Sequence, residues 1–265
     1  MAEKQEIKFG PAGIGGFKEA PKILEAYHKA GITCAEIPFT YQVWMTNDQA
    51  ETISEVAKKF DIQLSIHAPY YINLNSQNKE KIDASIRRIL LCCERAHHLH
   101  AKNVVFHAAY YGVKSPEETY QVVKEKIIHM QQALKRNKWA VNLCPETTGK
   151  KSQFGSLDEL LRLVRETSCF MCIDFAHLRA RQGKIDYTEV FRKIKSSSLD
   201  NLHCHFSGIE FGDKGELRHL VTPDSNLQEL LKFLKKSGLT ANIINESPSP
   251  IEDSLKGLKI LHTLP

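Results

Sequence analysis

The chain has 265 residues, 42% of them hydrophobic, and carries a formal net charge of +5. That length and composition suffice to bury a sizeable core, and no apolar run approaches the roughly 18 residues of a membrane span. The charge is too modest to imply nucleic acid by itself, no signal peptide or anchor is read at either end, and seven scattered cysteines suit a reducing compartment.

Apolar runs predict eight strands, at about Ile7–Gly10, Cys34–Phe39, Ile62–His67, Asn103–His107, Trp139–Glu146, Cys169–Asp174, Asn201–Phe206 and Ala241–Glu246. Between them, amphipathic stretches predict helices, such as Ala20–Lys29, Gln49–Phe60, Lys79–His100, Pro116–Asn137, Leu157–Thr167, Tyr187–Ser196 and Leu227–Lys236. Strand and helix alternate eight times without a linker or composition shift, so one α/β domain over residues 1–265 is expected. Strands buried on both faces read as continuous apolar runs, as these do, and a (β/α)8 TIM barrel follows. The alternative is a doubly wound open sheet, whose polar termini would cluster at one switch point. Cys169 and Cys172 have zinc-knuckle spacing, but in a strand residues i and i+3 face opposite ways, so both read as core.

Most of these strands end in a His, Asp or Glu: His67, His107, Glu146, Asp174, His205 and Glu246. A lone His at a strand end is usually a hydrogen-bonded core or surface residue. Six such termini in one sheet point instead to side chains converging on shared cations at the C-terminal rim, where barrel enzymes place their chemistry. Alternation puts His203 and His205 on one strand face; His205, nearer the end, is the better ligand, and His203 is either a barrel-interior residue or one that stands behind the ligands. His97, His98, His100 and His129 fall in helical sequence and are assigned no chemistry.

At these positions the chain resembles the endonuclease IV family of apurinic/apyrimidinic endonucleases, within the larger xylose-isomerase-like barrel group. The carrying pieces are His67 followed by Tyr70-Tyr71-Ile72-Asn73-Leu74, then His107, Pro145-Glu146-Thr147, Cys172-Ile173-Asp174-Phe175-Ala176-His177, His205-Phe206-Ser207 and Asn245-Glu246. The resemblance implies a zinc-dependent endonuclease that cleaves double-stranded DNA 5′ to an abasic site, with two to three zinc ions. It implies His67 and His107 on one ion, Glu146 as the catalytic bridge to a second, and Asp174, His205 and Glu246 completing that second site. His177 and His219 would belong to a third. There the family carries an Asp-x-His pair, but this chain reads Glu216-Leu217-Arg218-His219, and leucine cannot bind zinc. Glu216, Asp213 or water would complete that shell, although in an extended strand residues 216 and 219 face opposite ways.

Basic residues cluster in the presumed rim loops: Lys150, Lys151, Arg179, Arg181, Lys214 and Arg218, where a polyanion would lie over the metals. Tyr70, Tyr71, Tyr110 and Tyr111 follow two ligand-bearing strands and would wedge into a base stack, with at least one of each pair expected merely to cap the barrel. The loop after the second strand lacks the family's basic residue and offers Tyr41 and Trp44 instead. Two rivals remain: a sugar isomerase or epimerase on the same barrel, and a catalytically inactive DNA-binding relative. A cytoplasmic protein is expected, nucleoid-associated if prokaryotic, with no membrane partner, and nothing demands more than a monomer.

Overall fold

Eight short parallel strands form the centre of the computed structural model, which describes residues 5–197 and 199–264. In chain order they are β1 (Ile7–Pro11), β2 (Cys34–Pro38), β3 (Gln63–His67), β4 (Asn103–Phe106), β6 (Asn142–Pro145), β8 (Cys172–Asp174), β9 (Asn201–Phe206) and β12 (Thr240–Asn245). They lie in two four-stranded sheets, ordered β1-β12-β9-β8 and β2-β3-β4-β6. Parallel bridges Ala12–Glu36 and Glu146–Cys172 join the sheets at both seams, so the architecture is that of a (β/α)8 barrel.

Helices α1 (Ala20–Lys29), α2 (Asn47–Lys59), α3 (Lys79–His98), α4 (Pro116–Asn137), α5 (Leu157–Thr167), α7 (Tyr187–Lys195), α8 (Asp224–Ser237) and α9 (Pro250–Thr263) cover the strands. Their boundaries follow local chemistry. Thr46 with Gln49, Ser115 with Glu118, and Ser156 with Glu159 form reciprocal capping boxes that satisfy the first free amides of α2, α4 and α5. The apolar faces pack on the barrel in one large cluster, while Val105, Cys144 and Cys172 form a small separate one. All seven cysteines are buried and unpaired.

The strand expected from Trp139 begins only at Asn142. Lys138 takes a left-handed conformation (φ 58°) that closes α4, and the Trp139 amide still donates to Leu134. The rim is more structured than its loops suggest. It carries the short pair β5 (Ala109–Tyr110) and β7 (Gln153–Phe154), and the hairpin β10 (Gly208–Gly212) and β11 (Gly215–Leu220). Helix α6 (Phe175–Gln182) starts directly after β8 because the Asp174 carboxylate accepts the His177 amide at 2.6 Å, a side-chain N-cap. Arg179 and Arg181 therefore stand on a helix, not on a loop. No described helix is long and apolar enough to cross a membrane.

Candidate metal centre

Glu146 emerges at the end of β6 and is completely buried, with four imidazoles around it. Its Oε2 lies 3.1 Å from His67 Nε2 and 3.0 Å from His107 Nε2. Oε1 lies 3.1 Å from His177 Nδ1 and 3.3 Å from His205 Nδ1. Glu246 approaches the same His205 nitrogen at 3.3 Å. Five groups result among the described residues whose ligand atoms lie within 4.8 Å of one another: His67, His107 and Glu146; Glu146, Asp174, His205 and Glu246; His177, Glu216 and His219; His67, His205 and Glu246; and Cys172, His203 and His205. The structure thus brings together all eight of the residues read as ligands and, of the two carboxylates weighed for the third group, places Glu216 and not Asp213 beside them.

The free nitrogen of each ring is set by what holds the other, the usual way a protein orients a ligand histidine. His67 Nδ1 lies 2.8 Å from the Ala68 carbonyl, which leaves Nε2 for Glu146. His177 Nδ1 lies 2.9 Å from the Thr147 carbonyl, and His219 Nδ1 lies 2.7 Å from Ser207 Oγ; both leave Nε2 toward Glu216, at 3.5 and 3.8 Å. Glu146 Oε1, Asp174 Oδ2, His177 Nε2 and His205 Nδ1 are buried without a hydrogen-bond partner among the described residues. Unpaired buried polar atoms are costly, and four aimed at two adjoining ligand groups fit bound cations.

The electrostatics agree. Burial would raise the Glu146 carboxyl, but the imidazoles of His107 and His205 hold it well below the usual carboxylate range. Burial would lower His67, but the Glu146 carboxylate lifts it to about 9. Burial leaves Asp174 raised, with the neighbouring Glu146 charge adding to the effect. The carboxylates hold positive charge at the site, and a divalent ion meets that demand while leaving the imidazoles neutral.

The third group depends on a detail of the hairpin. Glu210 pairs with Arg218 but Phe211 pairs with Glu216, so Leu217 is an extra, bulged residue. The bulge turns Glu216 and His219 to the same face, where a regular strand would oppose them. Leu217 is pushed out, 64% exposed. The hairpin can sit this close only because of two glycines. A Cβ on Gly149 would lie 2.7 Å from Glu216 Cβ, and one on Gly215 would lie 2.1 Å from the Gly149 carbonyl, where φ is +99°. Sequence reading passed over both glycines; the pair Thr148-Gly149 directly after a ligand strand was the available signal.

The presumed DNA contacts divide. Tyr70 and Tyr71 are 64% and 60% exposed beside the centre, and Tyr71 lies 6.5 Å, ring to ring, from exposed Tyr41. Tyr110 is exposed, whereas Tyr111 donates to Glu159 at 2.9 Å and caps the barrel. Trp44 packs edge-on against Phe39. Lys150, Lys151 and Lys214 are exposed and drawn together, since Lys150 bridges Gly215 and the Lys151 amide donates to Lys214. Arg181 is spent inside the fold: its guanidinium donates to the carbonyls of Lys150 (2.7 Å) and Gln153 (2.9 Å) and to Tyr111 Oη (3.1 Å). Arg179 reaches Glu229 of α8 at 3.7 Å, and Arg218 pairs with Glu210 at 2.6 Å.

A cavity of about 120 Å³ opens over the centre, lined by His67, Tyr70, His107, His177, His219 and Glu246 among others. A larger cleft of about 730 Å³ lies at the opposite end of the barrel, near Gln63 and His97–His100, and touches none of the ligand groups. The centre is identified by its donor set, not by its volume.

A family model described as a xylose isomerase-like TIM barrel matches residues 24–264. An uncharacterized protein of Methanocaldococcus jannaschii is 35% identical over 97% of both chains. A probable endonuclease 4 of Mycobacterium leprae is 25% identical, covering 67% of this chain and 72% of its own. Among solved structures, SacUVDE superimposes with a TM-score of 0.76 at 15% identity, covering 97% of this chain and 98% of its own. Endonuclease IV from Thermus thermophilus gives 0.69 at 19% identity, covering 96% and 97%. D-psicose 3-epimerase gives 0.70 at 15% identity, covering 96% and 99%. These likenesses establish the barrel, and nuclease and epimerase share it equally.

Proposed function

The chain belongs to the xylose isomerase-like TIM barrel family, and from that premise we propose that it is a zinc-dependent endonuclease hydrolysing the DNA phosphodiester 5′ to an abasic site. The observation that carries this reading is the continuity of three ligand groups around buried Glu146 under an open rim. Mixed imidazole and carboxylate donors suit zinc, where an all-oxygen set would suit magnesium. Bound ions would supply a hydroxide at neutral pH and stabilise charge on the attacked, transferring and leaving oxygens. Glu146 joins the first two ligand groups, and its charge holds both in register. Tyr70 and Tyr71 stand where rings can enter a duplex at a missing base. Lys150, Lys151 and Lys214 offer a phosphate-binding cluster; Arg181, already committed, is left out of it. The cavity over the centre is smaller than the ~300 Å³ at the lower end of small-molecule pockets, so a substrate lying across the rim fits better than one engulfed.

The likeness to D-psicose 3-epimerase makes sugar epimerisation the second reading. An abasic duplex, incubated with zinc-loaded protein and again after chelation, separates the two. Incision 5′ to the lesion that chelation removes is expected; intact duplex with turnover of a ketose would reverse the order. Intact duplex that is nevertheless bound would mark an inactive relative.

Tyr70→Ala is expected to slow incision of the abasic duplex at least tenfold more than hydrolysis of a small phosphodiester, because only the duplex must be unstacked. Equal losses on both substrates would assign Tyr70 to packing. Replacing Lys150, Lys151 and Lys214 together by Ala should weaken duplex binding and flatten its salt dependence by roughly 0.9 in log–log slope for each phosphate no longer neutralised. Three helix lysines changed in parallel serve as the control, and an equal effect from them would mean diffuse attraction.

A further inference from the structure

Beneath the centre lies a second buried layer of charge. Glu36, in the middle of β2, is completely buried and reaches across the barrel interior to β9. Its Oε2 shares a 2.8 Å hydrogen bond with His203 Nε2, and its Oε1 lies at ion-pair distance, 2.8 Å, from His205 Nε2, although without the alignment of a hydrogen bond. Ser65, its register partner on β3, donates to the same Oε2 at 2.7 Å. A carboxylate buried this deeply is expensive unless it is fully paired. Nothing in the barrel's closure calls for it, because apolar residues fill such interiors in most barrels.

The arrangement has a direction. His205 has one nitrogen facing Glu36 and the other, Nδ1, facing Glu146 and Glu246. His203 holds the second oxygen of Glu36, so the carboxylate cannot rotate to release His205 without losing both partners. We propose that Glu36 and His203 are positioning residues that lock His205 with Nδ1 toward the second ligand group and thereby set how tightly that group holds its ion. Carboxylates that accept the outer N–H of a ligand histidine commonly change metal affinity by 10–100-fold when removed.

The inference rests on the metal-centre part of the proposed function, and its test uses metal alone. Metal-free full-length protein is titrated with zinc against a competing chelator and, separately, with cobalt(II), whose visible spectrum reports ligand geometry. Glu36→Gln and His203→Gln should each weaken one ion by about 10–100-fold and change the cobalt spectrum of that ion, with the remaining ions held as in the parent. Ser65→Ala, which removes one donor and little volume, should shift the same ion in the same direction by less. It keeps the test decisive if Glu36→Gln fails to fold. Unchanged affinities in folded variants would overturn the proposal. So would a thiolate charge-transfer band that disappears in Cys172→Ser, because Cys172, His203 and His205 also lie within 4.8 Å of one another and would then be holding an ion themselves. A zinc shift seen in a protein that leaves abasic DNA intact would uphold this inference and sink only the endonuclease reading.

Discussion

Replacing Glu146 by Gln is expected to reduce incision of an abasic duplex by about 10³-fold or more while leaving the fold intact, since the ions that Glu146 would help to hold would supply several kcal/mol of transition-state stabilisation. Gln keeps the shape of the side chain and removes the charge shared by His67, His107, His177 and His205. Single-turnover incision with zinc content measured on the same sample checks this. Near-normal turnover by a folded, zinc-loaded variant would end the bridging assignment. The metal-free protein supplies an independent check. His67 is lifted to about 9 from an ordinary 6.5, so its pairing adds stability that is full below 6.5 and is lost as pH rises through 9. Denaturant unfolding of the chelated parent should weaken over that window, and Glu146→Gln should flatten the slope.

The second large effect is expected at the hairpin. Glu216→Ala should release one ion at lower chelator concentration than the parent requires and lower turnover by about 10²-fold, the usual scale for one electrostatic contact to the reacting phosphoryl group. Glu216 and His219 are partly exposed on a hairpin, whereas Glu146 and Asp174 are buried, so the third ion should be the first to leave the parent as well. His219→Ala should behave like Glu216→Ala. Mass-spectrometric counting of zinc across a chelator titration decides it: three ions lost in a single step, in parent and variants alike, would mean that Glu216 holds none of them.

Much of this was legible in the sequence because it is local. Strand ends in His, Asp or Glu are visible in six residues, and the capping pairs Thr46/Gln49, Ser115/Glu118 and Ser156/Glu159 mark helix starts at a distance of three. Helix α6 was less legible, because Asp174 both ends a strand and caps the helix that follows it. Charge near the rim was visible, but its use was not. Arg181 and Lys150 are both basic and close in the rim, yet one guanidinium is consumed by backbone carbonyls and the lysine remains exposed.

The sequence by itself determined which residues end the strands, and hence the donor chemistry of the centre, because side-chain direction alternates along any strand whatever its neighbours. Only the tertiary structure decided which donors come together and what stands behind them. Glu36 and His203 are 167 residues apart and on strands that are not adjacent, so their contact exists only once the barrel has closed. Glu216 faces His219 only because Leu217 is bulged from the hairpin, and periodicity along one strand cannot report an extra residue in its pairing with another.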